Sequence, residues 1–349
     1  MQPETASPLD NPLIREGVQY RPLKEGAVYI AGPGLDAFII DDGTATVLQA
    51  CNGRSLHDLC EEINSQYGWG LEENDMKDIL QRWVTYGYLE GSEMKSRRMF
   101  TFDPAGLLRV LKPFTYLYGR RWVGIAALLL AATGYVLTFA IGSQLISGIG
   151  DLARIHLIAG PLIVILGYYL GYSVTAFFHE LGHALAIHRF DGEVPEIGIQ
   201  RNFNFYVLSN RDILLTPADR IWYYAGGLLS DTVWWVGAWI WWILAPGPVP
   251  LFLLLPQTVY FLVYAFAPSG SSDMAMVLRE AVSWKPLVRM RKAPDWREKW
   301  KAAPFTQVTL EVIRLGMALF LLVFTAVTDW LLLVLYLLYR VARKGLNRL

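Results

Sequence analysis

The chain has 349 residues, of which 54% are hydrophobic and only 18% charged, and it carries 13 tryptophans. That balance excludes an ordinary soluble globular protein and points to a polytopic membrane protein. The 31 basic and 31 acidic residues cancel and no basic domain stands out, which argues against a nucleic-acid partner.

Residues 1–10 are polar and contain Pro3 and Pro8, a stretch expected to be disordered. The start lacks the basic-then-apolar run of a signal peptide, so the first domain is expected to face the cytoplasm. From Gly17 the pattern becomes strand-like, in residues 18–23, 27–30 and 35–40, separated by Lys-Glu-Gly and Gly-Pro-Gly turns. Helical spacing follows. Leu56, Leu59, Cys60 and Ile63 fall at i, i+3, i+4 and i+7, with Ser55 and Asp58 placed as a capping box. Met76, Ile79, Leu80, Trp83 and Val84 repeat the spacing on a helix ending near Gly87. Three strands followed by three short helices predict a soluble α+β, winged-helix-like domain over residues 11–92. Cys51 and Cys60 both precede the first apolar span, and Cys60 sits at a core-type position, which favours a buried reduced thiol over a disulfide.

Within this domain, residues 46–53 (Thr-Val-Leu-Gln-Ala-Cys-Asn-Gly), the Ser55-Leu-His-Asp-Leu run and the closing Gly87-Tyr-Leu-Glu-Gly91 carry a likeness. The region resembles the peptide-binding domain of ribosomal-peptide modification enzymes, the RiPP recognition element. Its free-standing form is the peptide chaperone of pyrroloquinoline-quinone biosynthesis. The resemblance implies that the leader of a peptide precursor adds as a strand beside the third strand and packs on the last helix, a β-augmentation. Phe38, Ile40 and Trp83 would form that surface, although each of the three also suits a core position.

Residues 93–121 are basic and aromatic, with Lys95, Arg97, Arg98, Phe100, Phe102, Lys112, Arg120 and Arg121, as expected of an interfacial linker on a lipid bilayer. The remainder, 122–349, reads as the membrane domain. Apolar spans are expected at 122–141, 157–187, 221–244 and 249–267, with flanking Arg and Lys marking the cytoplasmic ends. The apolar run 310–339 is ambiguous. A single tilted helix would place Asp329 near mid-membrane, whereas a hairpin at Asp329 leaves a short second arm. The expected fold is thus mainly α, a polytopic helix bundle of five or six spans in the cell membrane.

The second span carries His179-Glu180-Leu-Gly-His183. Four residues apart on a helix, the two imidazoles leave one face a single turn apart, the spacing needed to share one Zn²⁺, with Glu180 beside them as a base for water. Ionisable groups inside an apolar run are expensive and mark function. His188, five residues past His183, is turned off that face, so a carboxylate must complete the set. Asp273, at the cytoplasmic end of the fourth span, and Asp231, inside the third, compete for the role.

With the His-Glu motif, residues 194–198 (Val-Pro-Glu-Ile-Gly), Ala225-Gly-Gly-Leu228 and Pro268 followed five residues later by Asp273 extend the pattern over roughly residues 93–282. Here the chain is similar to the site-2 protease family of intramembrane zinc metalloproteases, in the branch of peptide zinc metalloproteases from ribosomal-peptide gene clusters. The resemblance implies Asp273 as the third zinc ligand within an Asn-x-x-Pro-x-x-x-x-Asp-Gly pattern, from which Ala265 and Met274 depart. At the third span, Gly227 stands where the family has Pro. Ser230 falls where it has a substrate-positioning Asn, with Asp231 adjacent, and either residue could serve there or simply pack. Residues 200–206 alternate like a strand, which predicts either pairing with an extended substrate through Asn202 and Asn204 or a re-entrant shielding loop. Two substrate classes fit: a ribosomally made precursor with its leader, or a membrane-anchored regulator such as an anti-sigma factor.

Overall fold

The computed structural model describes residues 7–94, 96–155, 159–201, 203–264 and 272–282, together with Thr309 and Val312. Within these the chain is mainly helical with two small sheets. Pro268, Asn202 and the run 310–339 apart from Val312 lie outside the described residues, and with them the choice between five and six spans. The chain divides into two compact units, one of residues 1–123 with 176–219, the other of 124–175 with 220–349.

The first unit begins with strands β1 (Gln19–Pro22), β2 (Ala27–Ala31) and β3 (Phe38–Asp41) in an antiparallel sheet of order β1-β2-β3. Helices α1 (Asp42–Ala50), α2 (Leu56–Tyr67) and α3 (Glu73–Thr85) follow. Each helix start has a local cause. The Asp41 carboxylate accepts from Thr44 N–H at 2.8 Å, and the Ser55 hydroxyl accepts from Asp58 N–H at 3.2 Å. Glu72 and Asp75 cap α3 reciprocally. Helix α3 is stopped by Gly87, whose φ is +80°; a Cβ there would lie 2.7 Å from the Glu93 carbonyl oxygen, so only glycine fits. Ile30, Leu48, Leu59, Ile63, Met76, Leu80 and Trp83 pack into one core. Both cysteines are free and buried.

This unit is larger than the domain expected at 11–92. The expected linker supplies β4 (Arg98–Phe102) and α4 (Ala105–Thr115), and β4 joins β5 (Glu196–Gln200) and β6 (Phe205–Leu208) in a second antiparallel sheet of order β4-β5-β6. The cations of 97–98 suggested a membrane surface, yet Arg98 is turned inward by a buried acid. Glu196, 3% exposed, accepts from the Tyr29 hydroxyl at 2.7 Å, from Tyr206 and from the Arg98 guanidinium. Burial is the largest single influence on Arg98 and lowers its pKa, but Glu196, Tyr206 and Tyr29 together outweigh it and hold the guanidinium above the ordinary value. Burial and the bond to Glu196 push the Tyr29 hydroxyl up to about 12. The turn between β1 and β2 is fastened to the segment before β5: Lys24 N–H donates to Glu193 at 2.6 Å and Asn210 Nδ2 to the Lys24 carbonyl at 2.9 Å.

The long helices are α5 (Arg121–Arg154), α6 (Ala159–Arg189) and α7 (Pro217–Leu244), followed by α8 (Pro248–Val259), a π turn (Tyr260–Tyr264) and α9 (Asp273–Val282). Two stretches, Arg121–Leu152 and Ala159–Arg189, are long and apolar enough to cross a membrane. Only 6% and 17% of their most apolar windows are buried in the protein, and Leu128, Phe139 and Ile146 are each more than 70% exposed. Exposure of that extent does not suit core helices of a water-soluble fold. The expected third span falls within α7. The expected fourth is a shorter apolar helix, 248–262, interrupted by the π turn. The Phe261 carbonyl in that turn accepts from the Tyr135 hydroxyl at 2.6 Å.

In the second unit the stacked rings of Trp235 and Phe261 lie 4.3 Å apart, and Trp235 Nε1 donates to Thr258. Helix α6 touches α8 at Gly171, where a Cβ would sit 1.7 Å from the Phe252 carbonyl oxygen; the backbones meet because there is no side chain.

Candidate metal centre

Helix α6 runs unbroken through the His-Glu motif because no proline follows Pro161, so the spacing of His179 and His183 becomes a shared face. Their Nε2 atoms are 3.2 Å apart, with the rings 78° to one another. His183 is 5% exposed and His179 and Glu180 are half-buried. Asp273 is the first residue of α9, whose start is set by Ser272: its hydroxyl accepts from Ala275 N–H at 3.3 Å. At the other end of this helix, Glu280 accepts from Arg220 Nε of α7 at 2.9 Å.

One donor atom from each of His179, His183 and Asp273 lies within 4.8 Å of the other two. The chemistry of the set fits a divalent transition metal, two imidazoles and a carboxylate being a common catalytic trio. The spacing fits as well: nitrogens bound at about 2.0–2.1 Å in a tetrahedron stand roughly 3.3 Å apart. The cluster can therefore bind a metal ion.

No family model matches this chain. Searches of curated proteins and of solved structures find no match either. The geometry of the site stands alone.

The other expected site residues are distributed as follows. Asp231, the rival ligand, is buried at 3% and accepts from Gln257 Nε2 at 3.1 Å; it is not part of the metal cluster. Ser230 is half-buried on α7. His188 is outside the cluster and lines a cavity of the first unit with Lys24, Lys112 and Glu193. Of the two readings of 200–206, a strand or a loop, the structure places Asn204 in the exposed turn between β5 and β6. The ladder breaks there because Phe203 takes a φ of +61°. Phe38 and Ile40 are half-buried on β3, which pairs only with β2 among the described residues, while Trp83 is in the core. The Phe38 ring lies 5.6 Å from Trp83 and 4.5 Å from the more exposed Tyr86. Sequence reasoning missed Tyr86 and Glu196; a lone acid inside the apolar run 194–199 was the available sign of the latter.

Proposed function

We propose that the protein is an intramembrane zinc metalloprotease that hydrolyses a peptide bond of a ribosomally synthesised precursor, removing its leader during maturation. The observation that carries the reading is the meeting of His179, His183 and Asp273 donors beside Glu180 on an apolar helix. These three residues would hold Zn²⁺, which when bound supplies a Lewis acid for water and for the scissile carbonyl. Glu180, one residue beyond His179 and therefore turned about 100° around the helix, is placed to act without being a ligand. It takes a proton from the attacking water and delivers it to the leaving amine. In this reading α7, the 248–262 segment and the 310–339 run complete a bundle of five or six spans, with the His-Glu motif and residues 11–92 toward the cytoplasm.

The assignment of a leader rests on β3. Among the described residues β3 is an edge strand, which offers backbone donors and acceptors along its open side, and the Phe38 and Tyr86 rings beside it, backed by the buried Trp83, give apolar contact for alternate side chains. Glu180→Gln tests the chemistry. The variant should keep the wild-type metal content and precursor binding but lose cleavage by a factor of about 10²–10⁴, the usual contribution of a general base. Cleavage at near-wild-type rates by this variant would sink the mechanism.

A further inference from the structure

In the second unit a cavity of about 330 Å³ opens between α5, α7 and α9. Ala127 and Ala131 of α5, Ala225 and Leu229 of α7, and Met274 and Val277 of α9 are among its walls. Its one hydroxyl, on Thr232, donates to the Leu228 carbonyl at 2.7 Å, and the lining is otherwise methyl and ring surface with the Trp222 indole. An apolar cavity of this kind admits apolar matter and rejects charge. The size stands at the low end of ligand pockets, which run from about 300 to 1,000 Å³, and suits one or two side chains, not a whole helix.

Its position decides what enters. Met274 adjoins Asp273 in sequence, and Val277 follows Asp273 by four residues, on the same face of α9. One wall of the cavity is thus formed by the first turns of α9, the helix that begins with Asp273, although Asp273 itself is not in the lining. The Arg220–Glu280 pair fixes α9 against α7, the helix of the opposite wall. We infer that this cavity is a side-chain subsite taking a large apolar residue of the substrate, leucine, methionine or phenylalanine, next to the bond that is cut. The inference rests on the proposed proteolysis and names its specificity. Ala127, Ala131 and Ala225 set the depth, since each could be enlarged to fill the space.

The test separates binding from turnover. In the full-length Glu180→Gln protein, an added Ala127→Cys gives a thiol in the wall. The native thiols are poor competitors for a maleimide, because both are buried and burial pushes the Cys51 thiol up to about 12. Peptides are compared that differ only at the residue beside the scissile bond. Phenylalanine or leucine there should slow labelling at least tenfold, and aspartate should not. In the otherwise wild-type enzyme, Ala131→Phe should lower cleavage of the phenylalanine peptide at least tenfold while an alanine peptide loses far less, within the roughly 10–200-fold range that apolar pockets discriminate. Protection by every peptide alike, or by lipid and detergent alone, overturns the subsite. Selective protection in a protein whose wild type cuts nothing would keep the subsite and remove the protease reading instead.

Discussion

Replacing Glu196 with alanine tests the buried network of the first unit. The carboxylate is 3% exposed and accepts from three side chains, so its loss leaves the Arg98 guanidinium without its counter-charge and two tyrosine hydroxyls without an acceptor. Breaking a buried pair from one side costs about 3–5 kcal/mol. The Arg98 side chain is 19% exposed and keeps some contact with water, which places the loss near the lower figure, about 3 kcal/mol. For a unit of this size that is a fall of about 6–12 °C in the unfolding temperature. The measurement is a heating series in detergent, with the folded fraction read by gel filtration at one fixed heating rate, since unfolding of such proteins is seldom reversible. Arg98→Met combined with Glu196→Leu removes both charges and should recover most of the loss. A change of less than about 2 °C in Glu196→Ala, or a double variant weaker than either single one, would refute the reasoning.

Purified protein should hold about one zinc per chain. Asp273→Ala should strip most of it, and Asp231→Ala should not, because Asp231 is engaged with Gln257; metal analysis giving the reverse pattern would reassign the third ligand. Stability should also fall at high pH. Tyr29 has an ordinary value of 10.0 and is raised to about 12 in the fold, so its contribution is complete below pH 10 and is lost as pH rises through 12. Burial and Glu196 raise Tyr206 in the same direction. Unfolding followed across this alkaline range should become less pH-dependent in Tyr29→Phe, and an unchanged profile would argue against the shift.

What was legible in the sequence was local. The four-residue spacing of His179 and His183 survives because α6 has nothing to break it, and the periodicity of 56–63 and 76–84 survives because each run packs one face into one core. Asp273 and Asp231 could not be separated by spacing, since both are acids near apolar spans; what separates them is the partner 26 residues on, Gln257, that occupies Asp231. Strand β4 was hidden because Arg98 looks like an interfacial cation until the buried acid that pairs with it, 98 residues away, is located. The turn between β5 and β6 was hidden because it uses Phe203 where a glycine or asparagine would have announced it.

The fastening of the β1–β2 turn to the segment after α6 has a consequence for reach. Lys24 bonds to Glu193 through its backbone N–H and to the Asp191 carbonyl through its ammonium, two to four residues past the end of the helix that carries His179 and His183. A domain held this way does not swing on a tether, and its distance from that helix is set by hydrogen bonds, not by linker statistics. On the proposed reading the protein then works as a ruler. The bond that is cut is chosen by how many residues separate it from the gripped leader, so a precursor lengthened in between should be cut at a displaced bond. Cutting at the unaltered bond would mean that the local sequence alone selects it.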